Sequence, residues 1–282
     1  MTDLSNKVAV ITGAGQGVGK GIALALAKAG AYVSISGRTL SKVEDTLREI
    51  EKSGGQGIAL ECEVTNLEHI ENCIKVTIEQ YNSIDILVNN AQIVPLGKVL
   101  DVTDESFNLA WKSGPLATHR FMKLSYPYLK ESSGSVVNLG TGAAIRPDPK
   151  GFGAYTAVKE AIRALSRAAA VEWGIDGIRV NTIIPLANSP GMEMWEKMVP
   201  EEAKAFKKTI PLARIGDCEE DIGEAVVALV GIEINSRRIV ATHYISPTII
   251  IIRTKYQTVV TRTFQVQSSI ITFPTKMHTI NF

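Results

Sequence analysis

Val8-Ala9-Val10-Ile11-Thr12-Gly13-Ala14-Gly15-Gln16-Gly17-Val18-Gly19 is the stretch that decides how this chain folds. Val8–Thr12 is a short apolar run bounded by polar residues, the pattern of a strand buried on both faces. A glycine-rich turn follows at once. Ile22-Ala23-Leu24-Ala25-Leu26-Ala27-Lys28 is then an alanine-rich helix, ended by Gly30. Strand, glycine turn and helix together form an anion cradle. Glycine lets the backbone approach a pyrophosphate, and the first helical turn offers unpaired N–H groups and the positive end of its dipole. The spacing is Thr-Gly-x-x-x-Gly-x-Gly rather than Gly-x-Gly-x-x-Gly. Dinucleotide binding is the function it predicts, through Gly13, Gln16, Gly17, Val18 and Gly19. A merely flexible glycine loop would not need the flanking strand and helix.

Outward from this turn, strands alternate with helices. Ala31–Ser36 reads as a second strand, ending in Gly37-Arg38-Thr39. NAD-binding folds place an acidic residue here for the ribose 2′-hydroxyl. No carboxylate stands at this point to repel a 2′-phosphate, and Arg38 can pair with one, so NADP(H) is favoured over NAD(H). Residues 41–53 are an amphipathic helix. Residues 57–62 are a third strand, followed by Glu63-Val64-Thr65. A helix over 67–81 leads to a fourth strand at 84–89 and then Asn90-Ala91. A long helix over 104–130 is interrupted by Gly114-Pro115, because proline inside a helix removes a hydrogen bond and kinks it. A strand over 135–139, a helix up to Trp173 and a sixth strand over 177–184 complete the alternation. Residues 185–192 read as a loop. Residues 193–208 read as one charged amphipathic helix, with a lid and a surface helix both open as its role.

This order predicts an α/β fold with a doubly wound parallel sheet in a single domain. Ligands of such sheets bind off the carboxyl ends of the strands. The glycine turn, Arg38, Glu63, Val64, Asn90 and Thr141 all fall at that edge.

Tyr155 and Lys159 lie four residues apart on the helix after the fifth strand, hence on one helix face. The apolar stripe there is Val158, Ile162, Leu165 and Ala169, with the pair at its edge. An ammonium beside a phenol favours the phenolate and lowers its pKa. Such a tyrosine can act as acid or base near neutral pH.

Composition narrows the function classes. The chain has 282 residues, 45% of them hydrophobic, enough for one large core. Its net charge of +1 gives no reason to expect nucleic acid or an anionic membrane as a partner. Cys62, Cys73 and Cys218 make neither a disulfide framework nor a zinc pattern, and the four histidines lack metal-ligand spacing, so no metal is expected. The N-terminal residues have no apolar signal region, and no apolar run reaches membrane-spanning length. A cytoplasmic location is therefore expected.

Taken together, the motifs resemble the short-chain dehydrogenase/reductase family over about residues 5–231. Thr12–Gly19 is similar to its cofactor glycine motif. Asn89-Asn90-Ala91 resembles its Asn-Asn-Ala-Gly motif, with Gln92 in place of the glycine. Tyr155-x-x-x-Lys159 matches its catalytic pair, and Asn181 with Pro185 resembles its Arg-Val-Asn-x-x-x-Pro segment. The resemblance implies a Rossmann fold and an oxidoreductase interconverting a small-molecule carbonyl and alcohol by hydride transfer. It implies Tyr155 as proton donor and acceptor. It implies Lys159 as the residue that holds the nicotinamide ribose and lowers the Tyr155 pKa. Ser189 is the candidate for the nicotinamide amide, and Glu63 stands where the family has an aspartate near the adenine. A homo-tetramer or homo-dimer is implied as well. The loops 92–100, 143–153 and 186–200 shape the substrate site.

Four departures stand out. The family serine is replaced by a hydroxyl at Thr141, while counting back from Tyr155 by the usual spacing lands on Gly142. The family's relay asparagine on the middle helix aligns on Gly114, which has no side chain to hold a relay. Pro185 is followed by Leu186 rather than glycine. The family's last strand, with its Val-Asp-Gly-Gly-like ending, has no counterpart. Residues 232–282 carry six basic residues and one acidic one, net +5, and no glycine. Residues 1–231 carry 24 basic and 28 acidic residues, net −4. The division is therefore a dinucleotide-binding and catalytic domain over 1–231 and an atypical tail over 232–282. Ile249–Ile252 and Val259-Val260 have high β-propensity, which suits a replacement strand or an aggregation-prone, disordered tail. A second reading of the whole chain follows, as a non-catalytic nucleotide-binding paralogue or an inactive transcript variant. The composition shift points to a spliced or frame-shifted origin. Sequencing the transcript against its genomic exons is expected to show a junction near residue 231, and one ordinary frame through both parts would reject that origin.

Overall fold

Residues 2–145 and 151–231 are described in the computed structural model. The readings of the 232–282 tail and of the missing last strand lie outside these residues. Six strands form one parallel sheet: β1 (Val8–Thr12), β2 (Tyr32–Gly37), β3 (Gln56–Glu61), β4 (Ile86–Asn89), β5 (Ser135–Leu139) and β6 (Arg179–Ile183). Their spatial order is β3-β2-β1-β4-β5-β6. The chain winds outward from β1 to β3, then crosses back to β4 and winds the other way. The crevice between the ends of β1 and β4 is the point where the order reverses, and that is where such sheets bind ligands. This is the expected doubly wound Rossmann arrangement.

The central strands read as unbroken apolar runs because helices cover both faces. Every residue of β1, β4 and β5 is buried. Successive strand residues point to opposite faces. Ile11, Val88 and Val137 face one core with Ile22 and Leu26 of α1 (Gly17–Lys28) and Val226 and Val230 of α9 (Glu224–Gly231). Their neighbours Val10, Leu87 and Val136 face the other core. There they meet Ile70 and Ile74 of α3 (Leu67–Tyr81) and Phe121, Met122 and Leu129 of α5 (Ala117–Ser132). Helix α2 (Leu40–Lys52) buries only Val43, Thr46 and Ile50, one residue per turn, as an amphipathic cover should.

Two expected helices differ from the structure. The segment 104–130 is not kinked apart at Gly114-Pro115. Helix α4 (Asp104–Trp111) runs into a π turn at Lys112–Leu116, which leads straight into α5. The wider π turn takes in Pro115, which has no N–H to give to an α-helical bond. Ser113, Gly114 and Pro115 are all buried there. The segment 193–208 is two helices, α7 (Pro190–Met198) and α8 (Pro200–Thr209), because Val199 leaves helical geometry at φ −137°, ψ 67° before Pro200. Trp195 and Phe206 hold this pair edge to face at 5.7 Å, and Lys207 bonds Glu196 at 2.8 Å.

Helix α1 packs backbone to backbone against a second π turn, Cys218–Gly223, which precedes α9. A β-carbon at Gly21 would overlap the Cys218 carbonyl, and main chain cannot swing aside as a side-chain tip can. Gly21→Ala is expected to lower the unfolding free energy by about 1–3 kcal/mol through overpacking. Urea denaturation checks this, and an unchanged midpoint would show that α1 and the second π turn are not in close contact.

Candidate active site

The glycine turn is shaped for a phosphate. Gly13 (φ 69°) and Gly17 (φ 56°) take the left-handed backbone that a side chain disfavours. Gln16 is the N-cap of α1, but its side chain makes no cap bond, and the first turn carries no acid. The leading N–H groups and the positive end of the helix therefore stay available to an anion. A nicotinamide dinucleotide fits these residues by that observation. The cleft beside them is lined by Gly13, Gly15, Gln16, Gly17 and Val18 from the turn. Arg38, Lys42, Glu63, Val64, Asn90 and Ser189 line its other sides.

Asn90 braces the turn. Its Nδ2 donates to the carbonyls of Thr12 (3.0 Å) and Gly13 (3.1 Å). The Thr12 hydroxyl accepts from the main-chain N–H of Asn90 and of Ala91, each at 3.0 Å. Gly19 is buried against the same Asn90 amide and so acts by close packing. Thr12 opens the glycine motif, whereas Lys42, a lysine one turn into a surface helix, carries no signal of its own.

The adenosine end is more balanced in charge than its sequence implies. Arg38 Nε stands 3.9 Å from Glu63 Oε2, while Glu63 Oε1 accepts from the N–H and the hydroxyl of Thr65, both at 3.0 Å. Lys42 Nζ donates to Gln16 Oε1 at 3.1 Å, which holds a second cation at the rim. Ser189 caps α7, its Oγ accepting from Met192 N at 3.4 Å, and with Pro190 it lies against Gly17.

Thr141, Tyr155 and Lys159 form a second group at the next strand end. Lys159, on α6 (Gly153–Trp173), is buried, and its Nζ donates to the carbonyl of Leu139 at 2.7 Å. That bond ties α6 to the end of β5, just ahead of Thr141. Thr141, whose Oγ accepts from Ala143 N at 3.4 Å, is the side chain that acts on the Tyr155 phenol. The buried face of α6 is Val158, Lys159, Ile162, Ser166 and Ala169. Leu165 packs half-buried on the same core, and Ser166 is buried as well, where Asn138 of β5 donates to its Oγ at 2.8 Å.

The electrostatics correct one expectation. Burial raises the Tyr155 phenol above its ordinary value, and the Thr141 hydrogen bond offsets only part of this. Burial also pushes the Lys159 ammonium down to about 7. Its Nζ lies 5.8 Å from the Tyr155 ring centre. Desolvation is thus the larger influence on the phenol and on the ammonium alike. At Gly114, where a relay side chain was expected to be missing, the space next to the α-carbon is filled by the carboxamide of Gln92.

Comparison with known proteins agrees with this geometry. A family model described as enoyl-(acyl carrier protein) reductase matches residues 13–236. The 12α-hydroxysteroid dehydrogenase of a Clostridium species is 40% identical over 231 residues, covering 79% of this chain and 89% of the relative. The 2,5-dichloro-2,5-cyclohexadiene-1,4-diol dehydrogenase LinX of Sphingobium indicum is 31% identical over 216 residues, covering 76% and 85%. A solved short-chain type dehydrogenase/reductase from Mycobacterium marinum superposes with a TM-score of 0.74 at 28% identity, covering 81% of this chain and 90% of that one. The chain belongs to the short-chain dehydrogenase/reductase family. It is an oxidoreductase of CH–OH groups, of a family that uses NAD(P).

The buried lysine has a consequence for stability. Its folded pKa, about 7, lies below the unfolded value of about 10.4. Between those values the unfolded chain holds a proton that the folded one has lost, so this group's contribution to stability rises with pH. Below about pH 7 the cost of burying the ammonium is fully present. Lys159→Met removes the dependence. The wild-type unfolding free energy minus that of the variant should grow from about pH 7 to about pH 10. A difference that stays flat across that range would show Lys159 to be hydrated.

Proposed function

We propose that this chain is an NADP(H)-dependent oxidoreductase interconverting a carbonyl and an alcohol, with Tyr155 as the group that gives and takes the proton. The observation that carries this reading is the buried Lys159 on the helix of Tyr155, anchored to the end of β5 with its Nζ 5.8 Å from the Tyr155 ring centre. When bound, the reduced nicotinamide supplies the hydride to the carbonyl carbon. Thr141 donates a hydrogen bond to the carbonyl oxygen, and Tyr155 gives that oxygen a proton as charge develops on it. A phenol held above its ordinary pKa keeps its proton until that charge forms, which suits the reductive direction. Lys159, anchored by its Leu139 bond, would hold the nicotinamide ribose, and its charge would steady the phenolate left behind.

The NADP(H) preference rests on Arg38 and Lys42 at the rim, and on the absence of a carboxylate at residues 37–39. Glu63 is a competitor for Arg38, but at 3.9 Å and half exposed it is a weak one. The substrate is bulky and apolar. Val94, Leu96, Val99 and Leu100 are exposed on the loop after β4, the last at 97%. This loop is fixed to the start of α6. Gly97 N donates to Gly151 O at 2.9 Å, and Val99 packs against Gly153, two residues before Tyr155. Met194 and Met198 stand exposed on α7. Such a rim fits a hydroxysteroid, the substrate class in the name of the 40% relative.

The test is a panel of hydroxysteroids, ketosteroids, small ketones, quinones and sugars with NADPH and NADH. Steroid turnover with NADPH above NADH is expected. Tyr155→Phe should lower kcat by at least about 100-fold while NADPH fluorescence titration stays unchanged. Wild-type turnover in that variant would remove Tyr155 from the mechanism, and a preference for NADH would overturn the cofactor assignment.

A further inference from the structure

The helix that carries Tyr155 is not capped by its own sequence. Phe152 is the N-cap of α6, its side chain makes no cap bond, and the first turn carries no acid. Helices usually secure this end with a serine, threonine, aspartate or asparagine. Here the start of the helix is held from outside. Gly97, on the loop after β4, donates its N–H to the carbonyl of Gly151 at 2.9 Å. The two main chains touch at that point. A β-carbon added at Gly151 would stand 2.9 Å from the carbonyl carbon of Gly97 and 3.2 Å from Lys98 N. Gly97 (φ 142°) and Gly151 (φ 90°) both take backbone that a side chain disfavours, so the clasp needs glycine on each side. Val99 extends the contact, since a β-carbon at Gly153 would overlap its side chain.

Phe152 stands between the clasped Gly151 and Gly153. Its carbonyl accepts from Thr156 N at 2.8 Å, which opens the helix. Its side chain is half-buried and belongs to neither core of the sheet among the described residues. The ring lies instead against that of Tyr155, three residues on. The two centroids are 6.3 Å apart and the planes are tilted by 57°. That separation and tilt are the geometry in which aromatic rings attract. Two other groups act on the phenol. Lys159 of the same helix has its Nζ 5.8 Å from the ring centre, and Thr141 acts from the end of β5. Neither offers a flat apolar face that could fix the tilt of the ring. Phe152 does, and it can offer the phenol no hydrogen bond, so its part is to orient and to exclude water.

We propose that Phe152 is a positioning residue for Tyr155: its ring fixes the tilt of the phenol and keeps water from one side of it, and the Gly97–Gly151 clasp holds Phe152 in place to do so. This rests on the reading of Tyr155 as the group that gives and takes the proton. The loop in the clasp also carries the exposed Leu96, Val99 and Leu100. The segment that offers an apolar rim is therefore the one that steadies the start of the catalytic helix.

The contact can be read without turnover. Carbon NMR of tyrosine labelled at Cζ follows each phenol, and Tyr155→Phe identifies the Tyr155 signal. Phe152→Leu removes the ring and keeps an apolar side chain. Water should then reach the phenol, and Tyr155 should titrate at a lower pH than in the wild type. In the same variant kcat should fall about tenfold with NADPH binding unchanged, and the alkaline fall of the reduction rate should move to lower pH. A wild-type phenol titration or pH profile in Phe152→Leu would overturn the proposal. Phe152→Tyr keeps a ring and should retain most of kcat, whereas a loss equal to that of the leucine variant would show that the ring is not what acts. Gly151→Ala meets the Gly97 backbone and should shift the Tyr155 titration in the same direction. Combined with Phe152→Leu it should add little, because both act through one contact. Losses that add in full would overturn the role of the clasp. A wild-type chain that binds NADPH but reduces no carbonyl would sink the oxidoreductase reading instead, and the phenol titration would still decide whether Phe152 positions Tyr155.

Discussion

The hydrogen bonds between the end of β4 and the end of β1 are the constraint on which the rest depends. A doubly wound sheet opens a crevice where its order reverses, and that crevice is useful only if its two lips are held at a fixed separation. Asn90 does this by giving its amide to the carbonyls of Thr12 and Gly13, while Thr12 returns its hydroxyl to the backbone of Asn90 and Ala91. The left-handed backbone of Gly13 and the uncapped start of α1 lie beside that brace. Bonds of this kind within the chain hold the cradle in shape, which lowers the ordering cost of binding.

The second strand end works by burial. Asn89 Nδ2 donates to Asn138 Oδ1 at 2.8 Å, and Asn138 passes on to Ser166, so β4, β5 and α6 are joined by one buried polar chain. Lys159 adds a further tie at Leu139. A lysine so placed is expensive as a cation, and its ammonium is poised near neutrality as a result. The same desolvation holds the Tyr155 proton in place. Both effects belong to a water-poor site, in which fixed donors act more strongly than they would in water.

The departures from the family pattern sort differently once the contacts are known. Thr141 is a conservative change, since it keeps a hydroxyl that lowers the Tyr155 phenol against burial. Gly114 and Gln92 read separately as two losses, one of a side chain and one of a glycine. Together they are one exchange, because the volume removed at one position is taken up at the other. Neither change is intelligible from its own position.

The sequence by itself determined the order of elements, the parallel sheet, the glycine turn, and the placing of Tyr155 and Lys159 on one helix face. These are local matters, set by apolar periodicity, by glycine at turns and by i, i+4 geometry. It misread the stretches around Gly114-Pro115 and Val199-Pro200, because the choice between a π turn, a kink and a helix break lies in packing rather than in propensity. Tertiary structure alone decided that burial raises the Tyr155 phenol, and that Glu63 sits opposite Arg38. It alone decided that Asn90 works as a brace and that Gln92 fills the place left by Gly114. Each of these is a contact between residues far apart in the chain, and desolvation and excluded volume act through space, where no spacing along the sequence records them.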